Sequence, residues 1–138
     1  RFKAIEAAAF PLIQDKMVKD GFLEAVLKRE EAYPTGLPTP IGVAIPHTEP
    51  EYIKEEGISV VVLREPVIFR GMGAPEEAVE TSILFMLAIK DGDKQIVMLQ
   101  KIVSLIQDEM VLHKIKGAKS TETIYNLIRE ENDRNNAS

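Results

Sequence analysis

The chain contains no cysteine. Neither a disulfide framework nor a thiolate zinc site can be built from it, and a reducing compartment, the cytoplasm, is the expected setting. A basic excess is missing too: 22 acidic residues stand against 17 basic ones, a net charge of −5. Nucleic-acid binders displace phosphate counterions with a stripe of Lys and Arg, so this balance argues against that class. No apolar run approaches the roughly 18 to 20 residues that cross a bilayer, so direct membrane insertion is not expected, and no signal-peptide pattern opens the sequence. The absence of Gly-x-Ser-x-Gly removes the strained serine turn of many hydrolases. Gly71-Met72-Gly73 is only a fragment of a dinucleotide fingerprint and reads as a plain turn, so no cofactor is expected. The first residue is Arg1 and not Met, which suggests a piece of a longer chain.

What is present describes one ordinary domain. The 138 residues, 45% hydrophobic and 28% charged, suffice for a real core. Residues 2–15 carry Ile5, Ala8, Leu12 and Ile13 near helical spacing, with Pro11 predicting a kink or two short helices. Asp20 is positioned to cap a second helix to about Glu31, with Phe22, Val26, Leu23 and Leu27 facing inward. Tyr33 to Pro40 holds three prolines and reads as an ordered loop. Short strands are expected at Val43 to Pro46, at Ile58 to Leu63, covered on both faces, and at Val67 to Phe69 after Pro66. Ile83 to Ile89, the longest apolar run, is the expected central strand. Lys90 to Asp93 should turn the chain into an amphipathic helix carrying Ile96, Leu99, Ile102, Val103 and Ile106. A shorter helix over residues 109–115 should stop before Gly117, and Ser120 should cap a last one to about Arg129. Residues 132–138 read as a polar tail behind a domain spanning 1–131. The order of elements predicts an α/β fold: a single layered domain with a mixed parallel and antiparallel sheet flanked by helices on both faces.

Ile41 to His47 is the stretch around which the rest is arranged. Its β-branched residues hold the backbone extended, and Pro46 ends the strand just where a histidine is aimed outward. His47-Thr48-Glu49 opens like a zinc deaminase signature, but that site needs cysteines. Glu49 and Glu51 offer carboxylates for a metal, a spacing common by chance, and no metal is expected. The remaining functional reading is a histidine that accepts and donates a phosphoryl group: imidazole is nucleophilic near neutral pH, and a phosphorus–nitrogen bond is labile enough to pass its group on. Such a site also wants an arginine fork or backbone amides. Arg29, Arg64 and Arg70 are available, and Thr35-Gly36 offers a hydroxyl and an amide. Against this stand blander readings: His47 as an ordinary strand-end histidine, Arg29 as a cation facing a helix C-terminus, Arg64 and Arg70 as solvated charges, and Glu49 to Glu56 as a solvated loop. His113 reads as a partly exposed helix-end histidine, Met86 and Met98 as core, and Met72 as an exposed contact.

The run Arg29-Glu30-Glu31-Ala32-Tyr33-Pro34-Thr35-Gly36-Leu37, followed by Ala44-Ile45-Pro46-His47, resembles the active-site block of the fructose/mannitol-type enzyme IIA domains of the bacterial sugar phosphotransferase system. The likeness continues through the Val60 to Val67 segment, the strand to Ile89 and the helix beyond; only the family's usual N-terminal strand is missing. The resemblance implies phosphotransferase activity with His47 as the phosphorylated residue and Arg29 as the group that steadies the phosphoryl. Thr35, Gly36 and Thr48 would serve phosphate or partner binding. The phosphoryl group would arrive from the phosphocarrier HPr and leave to an enzyme IIB component. Mannitol-type members carry a second active-site histidine where this chain reads Asp91-Gly92-Asp93-Lys94-Gln95. That difference and Pro34-Thr35-Gly36 resemble the galactitol branch and leave Lys94 or Gln95 as stand-ins. A regulatory module of the nitrogen-regulatory type, signalling by phosphorylation-dependent protein binding, is the alternative, and an interaction domain without phosphorylation is a third reading.

Overall fold

The computed structural model describes residues 2–117, so the helix expected from Ser120 and the polar tail lie outside the described residues. Among the described residues four α-helices, α1 (Phe2–Gln14), α2 (Phe22–Ala32), α3 (Gly92–Ile106) and α4 (Glu109–Lys116), accompany four strands. The strands are β1 (Gly36–Leu37), β2 (Gly42–Ala44), β3 (Gly57–Gly71) and β4 (Ala74–Ala88).

The longest apolar run does become the central strand. β4 pairs antiparallel with β3 on one side and parallel with β2 on the other. β1 pairs antiparallel with β2 and meets β3 through Gly36 opposite Gly71, so the four strands close on themselves. The sheet is therefore mixed, as the element order predicts.

Side-chain alternation along β4 then assigns a core to each face. Leu84, Met86 and Ala88 join Ala44 and Phe69 beneath α1 and α2, where Ile5, Ala8, Leu12, Phe22 and Val26 are buried. Ile83, Phe85 and Leu87 join Val43 and Ile45 beneath α3 and α4, where Ile102, Leu105, Ile106, Leu112 and Ile115 are buried. Helices cover both faces, and the sheet is the wall between two cores.

Several local expectations change. Pro11 sits inside one continuous α1 and does not divide it. α2 starts from Gly21, whose φ of 89° is left-handed backbone that glycine adopts without strain, and no side chain caps it, so Asp20 has no capping role. The expected loop after Tyr33 contains β1, because Gly36 can approach the backbone of Arg70 where a Cβ would come within 2.7 Å of its carbonyl oxygen. β3 is one long strand and not two. Between the pairs Val62–Ile83 and Val67–Thr81 its register shifts, and the bulge absorbs Pro66, which has no N–H to give a ladder. Val60 to Leu63 are only partly buried; among the described residues this stretch of β3 pairs with β4 alone, since β1 meets β3 only at Gly71.

Gly73 (φ 73°) turns the β3–β4 hairpin and leaves Met72 exposed, as expected. α3 begins as predicted, with the Asp91 carboxylate accepting from the backbone N–H of Asp93 and Lys94. Its start does not follow the apolar pattern: Ile96 is 56% exposed, and only from Met98 onward does the helix reach the core. Met86 is fully buried and Met98 partly so, while Arg64 and Arg70 are exposed. His113 is exposed on α4 beside Glu109, at 3.5 Å.

Candidate functional site

His47 follows β2 on a segment that the central strand holds in place. The backbone N–H of Leu87 donates to the Pro46 carbonyl at 3.1 Å, so the proline that ends the strand is still tied to β4. Ile45 is fixed from the other side: its N–H donates to the Thr35 hydroxyl at 3.2 Å.

Thr35 is itself anchored by Glu30, which is almost fully buried in α2. The Thr35 N–H donates to Glu30 Oε1 at 2.9 Å, and its hydroxyl donates to Glu30 Oε2 at 2.7 Å. A carboxylate that receives both donors can occupy an apolar core, where an unpaired one would cost several kcal/mol, on the order of 3 to 5. The helix, the loop and the strand end are thus joined through one side chain.

The imidazole is 9% exposed, so it is enclosed rather than aimed outward. Its Nδ1 lies 2.8 Å from the Ile45 carbonyl oxygen, two residues back. A carbonyl can only accept, so Nδ1 carries the proton and Nε2 keeps its lone pair. Burial holds the ring's pKa below the ordinary 6.5; the Ile45 bond and Glu49 oppose that, and Arg29 adds to it. The ring is therefore neutral, and nucleophilic at Nε2, at neutral pH.

Arg29 reaches the same region from the last turn of α2. Its Nη1 stands 3.3 Å from Glu49 Oε1, and its guanidinium carbon lies 5.3 Å from the centre of the Tyr33 ring. Its Nε is buried with no hydrogen-bond partner among the described residues, a donor that an anion can satisfy. Glu49 is held in turn by the Thr48 hydroxyl, which donates to Oε2 at 2.7 Å. That bond, first among the causes, lowers the Glu49 pKa and keeps the carboxylate charged.

The remaining expected residues divide. The Gln95 side-chain amide donates to the Thr48 carbonyl at 3.1 Å, bringing α3 against the loop that carries His47. Lys94 turns to Glu56, 3.9 Å away at the far end of the loop, so of the two stand-ins Gln95 is the one bonded next to His47. The hydroxyl of Thr35 is spent on Glu30, and Gly36 is taken up by strand pairing, so both shape the loop. Glu30 and Glu49 carry structural duties that the sequence reading did not assign. Glu30 was within reach of it: Phe22, Val26 and Glu30 are four apart, which puts a carboxylate on the buried stripe of α2. The pairing of Glu49 with Arg29 joins residues far apart in sequence and left no signal.

An α/β domain with a neutral imidazole nitrogen beside an arginine can receive an anionic electrophile and neutralise it. Comparison with known proteins defines which class of such domains this is. The family profile "Phosphoenolpyruvate-dependent sugar phosphotransferase system, EIIA 2" matches residues 2–131. The chain belongs to that family: it is a type 2 enzyme IIA domain, a phosphocarrier that relays phosphoryl groups toward a IIB component in sugar uptake.

Among its relatives, the ascorbate-specific EIIA component of Salmonella paratyphi A is 27% identical over 137 residues, 98% of this chain and 84% of that protein. The 2-O-alpha-mannosyl-D-glycerate-specific EIIABC component of Escherichia coli K12 is 27% identical over 111 residues, 80% of this chain. Those residues make up only 16% of that longer protein. Among solved structures, the complex of enzyme IIAMtl with phosphorylated enzyme IIBMtl from Escherichia coli matches with a TM-score of 0.72 and 20% identity. That match covers 94% of this chain and 88% of the other and shows the shared fold. The galactitol branch expected from the sequence finds no support among these ascorbate-, mannosylglycerate- and mannitol-type relatives.

Proposed function

We propose that His47 Nε2 accepts a phosphoryl group from phospho-HPr and passes it to the nucleophile of an enzyme IIB component, in the cytoplasm. The observation that carries this reading is the Nδ1–H bond to the Ile45 carbonyl, which leaves Nε2 as the one ring nitrogen with a free lone pair. In the first step that lone pair attacks phosphorus, the donor's nitrogen–phosphorus bond breaks, and its electron pair returns to the donor ring. His47 loses no proton in this step: Nδ1–H stays bonded to the Ile45 carbonyl, and the ring takes up the positive charge of an N-phosphorylated imidazolium. The incoming charge is met by Arg29, whose Nε has no other partner among the described residues. In the second step the acceptor's nucleophile attacks phosphorus and the Nε2 pair returns to the ring. Gln95 assists by steadying the Thr48 carbonyl beside the reacting ring. The mannitol relative solved with its phosphorylated IIB partner supports the acceptor class.

Incubation with phosphoenolpyruvate, enzyme I and HPr should label the protein, and His47→Ala should abolish the label. Phosphorus and nitrogen NMR of the product should show phosphate on Nε2. A label that survives the substitution, or one on Nδ1, would refute the assignment. A purely regulatory module would take the label but not hand it on to a IIB protein.

A further inference from the structure

The relay needs a phosphohistidine that is stable enough to form and unstable enough to leave, and the site contains a carboxylate whose place bears on that balance. We propose that Glu49 sets the phosphoryl-transfer potential of His47: it holds Arg29 while the site is empty and opposes the phosphoryl group once that group arrives. The inference rests on the assignment of His47 as the phosphorylated residue.

Glu49 lies two residues after His47 and pairs with Arg29, and the charges of both act on the His47 ring. The Arg29–Glu49 contact is a single one at 3.3 Å, with the two side chains 34% and 54% exposed. Ion pairs of that kind are weak and easily exchanged. A phosphoryl group carries more charge than a carboxylate and presents three acceptor oxygens, so it takes the guanidinium over. The buried Nε, unpartnered among the described residues, is a donor that Glu49 does not use and the newcomer can.

Displaced from Arg29, the carboxylate does not simply swing away. The Thr48 hydroxyl grips its other oxygen at 2.7 Å, Thr48 is itself buried, and Gln95 fixes the Thr48 carbonyl. Tyr33 stacked on the guanidinium limits how far Arg29 can turn to serve both anions. The phosphorylated site thus holds two anions competing for one arginine. That raises the energy of the phosphorylated state relative to the free one and favours onward transfer, in which the nitrogen–phosphorus bond breaks and the acceptor–phosphorus bond forms.

The sign of the effect distinguishes this role from a structural one. Glu49→Gln keeps the shape and a polar partner for Arg29 but removes the charge. In equilibrium mixtures with phospho-HPr, the variant should hold the phosphoryl group more tightly, shifting the equilibrium toward phosphorylated His47 on the order of 3- to 10-fold at low salt. The difference should shrink as ionic strength rises. If Glu49 merely orients Arg29, the variant shifts the equilibrium the other way; that result, or no shift, overturns the inference. Wild-type protein that takes no label on His47 overturns the relay assignment itself, a failure visible without the variant.

Discussion

At the scale of single residues, the site is a histidine whose protonation is settled by burial and by its own backbone. Because burial depresses the ring's pKa in the folded chain, the unfolded chain binds the proton first as pH falls. The stability that the neutral ring contributes is fully present above the ordinary 6.5 and is lost as pH falls from there through the folded value. Urea midpoints measured across that window should decline with pH in the wild type and decline less in His47→Gln. A wild-type slope no steeper than the variant's would show that the ring is not held neutral by the fold. Phosphoryl acceptance should persist below the same pH, since the folded ring stays unprotonated there. The place of this histidine, directly after a short strand, was legible from Pro46 and the flanking apolar run. Its enclosure was not: the atoms that bury it come from loops and helices brought together only by folding.

At the scale of elements, β2 is short yet decides where His47 lies, and its seat depends on a glycine. A Cβ on Gly42 would stand 1.8 Å from the carbonyl oxygen of Glu80 in β4, a backbone atom that cannot step aside. Gly42→Ala should therefore push β2 off the central strand and cost about 3 kcal/mol or more, read as a drop in the denaturant midpoint. Phosphorylation of His47 should fall with it even where the variant remains folded. Elements with one dominant cause were readable in advance: the Asp91 cap of α3, the stop of α4 at Gly117, the apolar run of β4. Those set by competing causes were not. Pro66 signals a break, but a bulge accommodates it within β3; Pro11 allows two short helices, but α1 runs through it undivided, with Ala8, Ala9 and Leu12 buried on both sides of the proline. Ile96 has the right spacing for the core but is 56% exposed, so spacing alone misplaces it.

For the whole molecule, β4 is shared by two cores, and this couples the helical layers. Phe85 points to the α3–α4 side and Leu84 to the α1–α2 side of the same strand. Phe85→Ala should cost about 3 to 5 kcal/mol and Leu84→Ala about 2 to 5. Either should lower a single unfolding transition, with far-ultraviolet circular dichroism and tyrosine fluorescence moving together. Two separated transitions would mean that the layers unfold independently. The layered α/β class could be inferred from strands in the middle of the chain and helices toward its ends. The closure of β1 onto β3 could not, because it depends on one pair of glycines meeting at a distance no local pattern encodes.

The bond from Nδ1 to the Ile45 carbonyl spans only two residues, so the reacting ring and the atom that sets its tautomer travel as one piece. Under the proposed relay, a partner protein that pressed on this edge and moved the segment by a fraction of an ångström would tilt the ring without changing its tautomer. A site that borrowed its proton anchor from a distant helix would lose its aim under the same load. In the proposed relay this one would present the same lone pair to a donor and then to an acceptor of a different shape.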